Sequence, residues 1–176
     1  MRCCDEIKFS RLISFDPNLR LSLWKTPEEA RKRILYGMKQ CDIMKISEEE
    51  VAFVSAQESL EKGVSFIRDN SDIKILFVTL GNKGSIAYYK DEKIYCGGIH
   101  QEHVVDTTGA GDTFCGAVLS RILELGTDDL TEKDIREMLL FANAAASIVV
   151  TRKGALCSMP EPEEIRAASS LIDKVL

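Results

Sequence analysis

The sequence predicts an α/β fold built around a mostly parallel sheet. Apolar segments of strand length, at residues 12–15, 43–46 and 73–80, alternate with segments that have the apolar period of amphipathic helices. Strands and helices that alternate in this way form parallel sheets, because each helix carries the chain back to the starting edge. The chain has 176 residues, of which 45% are hydrophobic. We expect residues 1–176 to form a single domain with its own core.

Capping signals and apolar spacing predict the helices. Thr26 and Pro27 suit the start of a helix that ends near residue 39, and the S-x-x-E pattern at residues 47–50 opens another. Apolar residues at helical spacing predict a helix over residues 56–68. Further helices are predicted over residues 112–125, ending at Gly126, and over residues 131–149 and 162–175.

Between residues 85 and 105 the pattern changes to short strands. Three of them are predicted, at residues 85–89, 94–96 and 103–105, separated by K-D-E-K and G-G. Short strands joined by such turns are typical of antiparallel pairing, so we expect a small antiparallel addition at the sheet edge.

Charge and cysteine content exclude several classes of function. The 23 basic and 28 acidic residues give a net charge of −5, so neither nucleic acid nor an anionic membrane is an expected partner. The sequence shows neither a membrane-spanning run nor a signal peptide, and we expect a soluble, cytoplasmic protein. Six scattered cysteines without C-x-x-C, and two histidines, favour neither a zinc site nor a disulfide framework.

Polar residues and glycine follow each of the three predicted parallel strands. They read D-P-N at residues 16–18, Lys45 with S-E-E-E at residues 47–50, and T-L-G at residues 79–81. Turns are commonly polar, but ligands of parallel α/β sheets bind beyond the carboxyl ends of the strands. Three such segments on one rim favour a ligand site there.

The most specific signal is the segment at residues 106–114, which reads D-T-T-G-A-G-D-T-F. Two glycines around Ala110 allow a tight turn that points amide N–H groups into one concavity, and a helix begins directly afterwards. This arrangement suits the charge that develops on a transferring phosphoryl group. Asp112 can either accept a proton from an alcohol nucleophile or cap the helix, and the residues alone favour neither role.

This segment resembles the second signature of the ribokinase-like (PfkB) carbohydrate kinases, and further segments resemble the same family in the same order. These are I-S-F-D-P-N-L-R at residues 13–20 with L-W at 23–24, K-I-S-E-E-E at 45–50, V-T-L-G-N-K-G at 78–84, F-A-N-A-A-A at 141–146 and V-T-R-K-G-A at 150–155. The resemblance implies a ribokinase-like three-layer sandwich and ATP-dependent phosphorylation of a sugar primary hydroxyl. The first segment resembles the fructokinase and 2-keto-3-deoxygluconate kinase branches.

The resemblance implies a role for each matching residue. Asp112 is the implied general base and contacts the sugar, and the N–H groups of Gly109, Ala110, Gly111 and Asp112 form the implied anion hole. Arg20 is implied near the transferred phosphate or the sugar.

The resemblance also implies sites for ATP, Mg²⁺ and K⁺. Glu50 is implied to hold Mg²⁺ through water, since that ion prefers oxygen ligands and keeps much of its hydration. The residues implied at the nucleotide are Ser47, Thr79, Gly81, Gly84, Gly111 and Asn143, the last beside the adenine. The residues implied at K⁺ are Asp106 through its carboxylate, Ser158, and Thr108, Val149, Arg152 and Gly154 through backbone oxygens.

Two departures from the family pattern bear on activity. Ser47 stands where many relatives carry asparagine, and its shorter side chain positions a phosphate group or a metal-bound water less firmly.

The second departure is length. The sequence matches only the C-terminal half of the family, so we expect a fold truncated at the N-terminus, without the small β-sheet lid that closes over the substrate in this family. Positioning of the kind that lid closure gives can supply roughly 7–11 kcal/mol of a barrier, so we expect little or no sugar phosphorylation and weak nucleotide binding. An exposed edge would favour a homodimer.

Three functions remain open. The first is a sugar kinase half acting on fructose or, next, on 2-keto-3-deoxygluconate. The second is a non-catalytic nucleotide-binding or interaction remnant of such a kinase. The third, a flavodoxin-like domain, is disfavoured because the phosphate-binding signals lie in the last third of the chain.

Overall fold

The computed structural model describes residues 12–154 and 156–172. These residues form an α/β fold, and its five strands lie in one sheet in the order β1-β2-β3-β4-β5. The strands are β1 (Ser14–Phe15), β2 (Ile43–Ser47), β3 (Ile75–Thr79), β4 (Gly84–Tyr89) and β5 (Glu92–Gly97). The helices are α1 (Pro27–Met38), α2 (Glu48–Ser55), α3 (Leu60–Asp69), α4 (Ala110–Leu125), α5 (Glu132–Val149) and α6 (Pro162–Ile172). Short 3₁₀ turns lie at Leu21–Leu23, Gly81–Lys83 and Leu156–Ser158.

Strands β1, β2 and β3 run parallel, as the alternation of strands and helices predicts. Ser14 is the Cα partner of Ile43, which is also the partner of Ile75. The pairing of β2 with β3 continues to Ser47 and Thr79, so the carboxyl ends of these strands lie side by side. Both strands are buried until their last residue, which is typical of a parallel sheet.

The predicted antiparallel addition consists of β4 and β5. Only Lys90 and Asp91 separate β4 from β5, and four residues separate β3 from β4. Connections this short can join only antiparallel neighbours, because a parallel crossover needs a dozen or more residues. The third short strand predicted, at residues 103–105, is wrong. The N–H of Val105 instead donates to the carbonyl of Val150 at 2.8 Å, just beyond the end of α5.

The described residues divide into two compact units. The first contains the residues up to Thr79 together with Tyr88–Asp91, and the second contains Leu80–Ala87 and the residues from Glu92 onward. In the first unit the fully buried side chains come from α1, β2, β3 and the facing sides of α2 and α3; they include Met38, Met44, Ile46, Val51, Ile67, Ile75, Leu76 and Phe77. In the second unit α4 packs on α5, where several alanines of α5 are completely buried, and small side chains allow this close approach.

The capping signals predict the helix starts well. Thr26 accepts a hydrogen bond from the N–H of Glu29 at 3.1 Å, and Ser47 with Glu50 forms a reciprocal capping box. Thr131 forms the same kind of box. Gly126, at φ +80°, ends α4 where predicted. Among the described residues, no helix is long and apolar enough to cross a membrane.

Several predicted boundaries are wrong. Strand β3 spans Ile75–Thr79 and not residues 73–80, and three further boundaries differ for local reasons. The helix expected over residues 56–68 begins only at Leu60, because Ala56 adopts the left-handed conformation (φ +57°) that ends α2. Strand β1 is shorter than residues 12–15, since the Asp42 carboxylate accepts the N–H of Ile13 at 2.8 Å in place of a strand partner. Helix α4 begins at Ala110, two residues before the predicted start. The predicted last residues of α6, 173–175, lie outside the described residues.

Gly63 permits the close packing of α3 on α2, and we predict that Gly63→Ala destabilises the protein. An added Cβ would lie 2.6 Å from Cγ1 of Val51 and 3.0 Å from Oγ of Ser55. Val51 is buried and β-branched, so it cannot turn away, and overpacking of this kind costs about 1–3 kcal/mol. Urea unfolding followed by circular dichroism measures the change.

Gly116→Ala is the matched control for this prediction. Gly116 also lies inside a helix, but a Cβ there meets no atom within 4 Å. Removing a helical glycine stabilises by roughly 0.5–1 kcal/mol, so this variant should unfold at higher urea. Combining Gly63→Ala with Val51→Ala should recover part of the loss; equal effects at the two glycines would contradict the packing argument.

Candidate active site

In the first unit, a loop after β1 is held at its start by an ion pair. Nζ of Lys45, in the middle of β2, lies 3.2 Å from Oδ2 of Asp16, and Lys45 is 7% exposed. Asp16 also accepts the N–H of Asn18 at 3.1 Å, which suits the left-handed conformation of Asn18. Burial raises the pKa of Asp16, and the charge of Lys45 opposes that shift. This pair is not among the predicted site residues, although a lysine inside an apolar strand is a signal for it.

The same loop is held at its other end by Glu50. Its Oε1 accepts the N–H of Leu19 at 2.6 Å, and its Oε2 accepts the N–H of Ser47 at 2.9 Å. The carboxylate of Glu50 therefore joins the end of β2 to the segment that carries Arg20, whose side chain is exposed. Each carboxylate oxygen can accept a second hydrogen bond, so both oxygens of Glu50 keep acceptor capacity beside these contacts.

Ser47 and Thr79, two residues implied at the nucleotide, end adjacent strands of the first unit. They are Cα partners in the register of β2 and β3. The Oγ of Ser47 accepts the N–H of Glu50 at 3.2 Å, so this hydroxyl takes part in the capping box of α2. The structure brings Ser47, Glu50 and the loop at residues 16–20 together.

In the second unit, the segment at residues 106–114 forms a turn that leads into α4. Gly109 has φ +82° and is the N-cap residue of the helix, a conformation that glycine adopts without strain. Asp112 is the third residue of α4 and is exposed. The interpretation of Asp112 as the simple N-cap is therefore wrong.

The start of α4 has the features of an anion site. The first N–H groups of a helix lack intrahelical acceptors, and the helix dipole places positive charge there. Gly111 and Asp112 lie in this first turn. The N–H of Ala110 donates to the carbonyl of Thr107 at 3.3 Å, so one of the four implied amide groups already has a backbone partner.

Most of the residues implied at K⁺ also come together in the second unit. Asp106 accepts the N–H of Thr108 at 2.9 Å and the N–H of Gly154 at 3.4 Å. The hydrogen bonds from Thr108, followed by that from Gly154, hold the pKa of Asp106 below its usual value. Ser158, which is buried, donates through its hydroxyl to the carbonyl of Gly154. The carboxylate of Asp106 and the carbonyl of Gly154 are oxygen donors of the kind that a hard cation binds.

The last two residues implied at K⁺, Val149 and Arg152, lie at the end of α5 and in the turn that follows it. The carbonyl of Val149 accepts the N–H of Arg152 at 3.0 Å. The guanidinium of Arg152 donates to the carbonyl of Ser158 at 3.5 Å and pairs with Glu164 at 2.5 Å. Within the described residues, no group of three or more histidine, cysteine, aspartate and glutamate side chains could by itself hold a metal ion.

The glycines implied at the nucleotide lie where the backbone turns sharply. Gly81 has φ +61° and is exposed, whereas Gly84 has φ +105° and is buried. A Cβ at Gly84 would lie 2.2 Å from the carbonyl oxygen of Cys96. Asn143, on α5, is also buried, and its side chain is hydrogen-bonded to β4 and β5.

Comparison with known protein families identifies the chain. Residues 1–162 match the model of the pfkB family carbohydrate kinases. This chain belongs to that family. Among similar proteins, fructokinase-1 of Oryza sativa subsp. japonica is 42% identical over 88% of this chain and 47% of its own length. The chain spans about half the length of several curated fructokinases that it matches.

Solved structures of the family have the same fold. One is a fructokinase double mutant from Vibrio cholerae O395, in a form with fructose, ADP and potassium ion bound. It is 33% identical to this chain and superposes with a TM-score of 0.80. The match covers 89% of this chain and 49% of the fructokinase chain. An aminoimidazole riboside kinase from Salmonella enterica, complexed with aminoimidazole riboside and an ATP analogue, is 27% identical with a TM-score of 0.79, over 90% of this chain and 52% of its own. The fold is therefore ribokinase-like, as expected.

Removing one partner of the Lys45–Asp16 ion pair is predicted to destabilise the protein. Asp16→Asn leaves the buried Lys45 ammonium without a carboxylate, which should lower the free energy of unfolding by about 3 kcal/mol. Asp16→Asn combined with Lys45→Met should recover most of this loss, since the buried ammonium is then absent as well. Urea denaturation of the single and double variants measures the coupling.

The exposed pair Lys133–Glu137 is the control for this cycle. It has an N···O distance of 3.7 Å, and both side chains are at least half exposed. Glu137→Gln should change the free energy of unfolding by less than about 0.5 kcal/mol. A double variant of the buried pair that is less stable than Asp16→Asn would contradict the buried-charge explanation.

The lowered pKa of Asp106 predicts a pH-dependent contribution to stability. A carboxyl group whose pKa is lower in the folded state stabilises that state above its unfolded pKa of 3.8, and the contribution disappears as pH falls through the folded value. The stability difference between the wild type and Asp106→Asn should therefore be present at about pH 6 and shrink towards about pH 3. Thermal unfolding at a series of pH values tests this, and a difference that grows on acidification would contradict it.

Proposed function

We propose that this chain carries the catalytic base and the phosphate-binding elements of an ATP-dependent kinase that phosphorylates a primary hydroxyl group of a sugar. The observation that carries the proposal is the exposed carboxylate of Asp112 in the first turn of α4, directly after the left-handed turn at Gly109. Membership of the pfkB family supports the assignment.

In the proposed reaction, Asp112 acts as the general base. Its carboxylate accepts the proton of the sugar hydroxyl while that oxygen attacks the γ-phosphorus of ATP. The new oxygen–phosphorus bond forms as the bond to the diphosphate breaks, which gives a sugar phosphate and ADP. Gly111 and Asp112 direct first-turn N–H groups towards the charge that develops on the phosphoryl oxygens. The proton held by Asp112 then passes to water.

We propose two further cation sites, each within one unit. In the first, Glu50 would orient water molecules of a hydrated Mg²⁺, because its oxygens retain acceptor capacity beside the N–H groups of Leu19 and Ser47. In the second, Asp106 with the carbonyls around Gly154 would hold K⁺. When bound, these cations neutralise negative charge on the phosphates.

Fructose is the substrate we propose, and 2-keto-3-deoxygluconate is the alternative. The fructokinase-1 of rice and the fructose-bound structure from Vibrio cholerae support fructose. Within the first unit, Arg20 is the residue proposed to meet the sugar or the transferred phosphate. Its segment is fixed by the ion pair of Asp16 with Lys45 and by the hydrogen bond of Leu19 with Glu50. The guanidinium of Arg20 is exposed and donates to the carbonyl of Leu19 at 3.1 Å.

A second candidate function is nucleotide binding without sugar phosphorylation. The chain spans about half the length of several curated relatives, and catalysis by positioning needs every group that aligns the acceptor hydroxyl. Under this proposal the 176 residues bind nucleotide weakly and transfer little or no phosphate. Titration with ATP and with fructose separately distinguishes the two, because the second candidate responds to nucleotide alone.

Asp112→Asn should abolish phosphoryl transfer while leaving ATP binding in place. The amide cannot accept the hydroxyl proton, and loss of a general base typically lowers kcat by about 100-fold to 10,000-fold. The backbone N–H groups of the turn are unchanged, so the Kd for ATP should stay within about twofold. A coupled ADP-release assay gives kcat, and isothermal titration calorimetry gives Kd.

Asp129→Asn is the control, because Asp129 is an exposed carboxylate in the segment after α4. It should behave as the wild type in both measurements. Equal turnover by wild type and Asp112→Asn would refute the assignment of the base. Nucleotide binding with no turnover in the wild type would favour the second candidate.

A further inference from the structure

The carboxamide of Asn143 is buried and makes three hydrogen bonds within the second unit. Its Nδ2 donates to the carbonyl oxygens of Cys96 and Gly97, each at 3.2 Å. Its Oδ1 accepts the hydroxyl of Ser85 at 3.0 Å. Asn143 is 7% exposed and Ser85 is fully buried. One side chain of α5 therefore binds the start of β4 and the end of β5.

These contacts use both hydrogen-bond donors of the side chain. A primary carboxamide has two N–H donors and two acceptor lone pairs on its oxygen. The two N–H groups donate to two carbonyls of β5, and one lone pair of the oxygen accepts the hydroxyl of Ser85. No N–H of Asn143 is left to donate to the acceptor nitrogens of a purine ring. This side chain is therefore poorly equipped to recognise the base of a nucleotide.

The segments that Asn143 binds are in tight backbone contact beside it. The N–H of Gly98 donates to the carbonyl of Lys83 at 3.1 Å. A Cβ at Gly98 would lie 2.2 Å from the carbonyl oxygen of Asn82, and a Cβ at Gly84 would lie 2.2 Å from that of Cys96. We name this contact of residues 82–84 with residues 96–98 the glycine clasp. Because no side chain fits between the two segments, a small shift of either one moves the other.

We propose that Asn143 is a positioning residue that fixes the glycine clasp, and through it the turn at Gly81–Lys83 that the family resemblance implies at the nucleotide, without reading the base. The inference rests on the proposed function for the identity of the ligand, but the clasp itself is a property of the protein without nucleotide. Two measurements therefore test it, one of the protein alone and one of nucleotide binding.

The first measurement is hydrogen exchange of the protein without nucleotide, in Asn143→Leu. This substitution removes all three hydrogen bonds at similar side-chain volume. The N–H groups of Gly98, bonded to Lys83, and of Leu80, bonded to Gly84, should exchange at least about 10-fold faster, because the clasp opens more often. The N–H of Gly126, at the end of α4, should keep its protection. Unchanged exchange at Gly98 and Leu80 would overturn the proposal.

The second measurement compares the Kd values for ATP and GTP. A positioning role predicts that Asn143→Leu raises both by the same factor, about 10-fold or more, so that their ratio stays within about twofold. A change in this ratio with unchanged exchange would mean that Asn143 reads the base. Asn70→Leu, the same substitution at an exposed residue after α3, should change neither Kd. If the wild type binds neither nucleotide, the proposed function fails, and the exchange measurement alone decides the role of Asn143.

Two further variants keep the test decisive if Asn143→Leu does not fold. Gly98→Ala leaves Asn143 intact but places a methyl group against the carbonyl of Asn82, so it should raise both Kd values without changing their ratio. Ser85→Ala removes only the donor to Oδ1 and should raise each Kd by less than about threefold. Wild-type exchange and binding in Gly98→Ala would overturn the proposal.

Discussion

The parallel pairing of β2 with β3 is the constraint on which the first unit depends. Both strands are buried until their last residue, so polar side chains can stand only where the strands end, at Ser47 and Thr79. Lys45 is a charged residue inside β2, and its ammonium group is paired with the carboxylate of Asp16. This pairing is needed because burying an ammonium group without a partner is strongly unfavourable. The loop that carries Arg20 is consequently tied to β2 through Lys45 and to the first turn of α2 through Glu50.

Three polar side chains of the two units bind backbone groups, and two of them, Glu50 and Asn143, are buried. Glu50 accepts two backbone N–H groups, Asn143 donates to two backbone carbonyls, and Asp106 accepts two more N–H groups. Each of these side chains joins segments that are distant in sequence, and such bonds are worth more away from water. The residues implied as ligand contacts are thus also the residues that shape the loops, which is why substitutions there need a readout besides activity.

Much of the fold was predictable because its signals are local. The S-x-x-E box at Ser47, the cap at Thr131 and the stop at Gly126 each depend on neighbouring residues alone. The errors arise where distant residues decide. Residues 103–105 have strand composition, but their backbone partner lies at Val150. In the same way, sequence motifs located the candidate site residues, whereas the bonds of Asn143 to Ser85 and β5 needed the folded chain.

The two aspartates of the D-T-T-G-A-G-D motif show how position separates chemical roles. Asp106 lies before the turn, where Thr108 and Gly154 donate to its carboxylate and hold its pKa low. A carboxylate stabilised in this way is suited to remain charged beside a cation, and a poor proton acceptor. Asp112 lies after the turn, exposed in the first turn of α4. Of the two, Asp112 is the one whose carboxylate lies in the first turn of the helix, and this position supports the proposal that Asp112 is the general base.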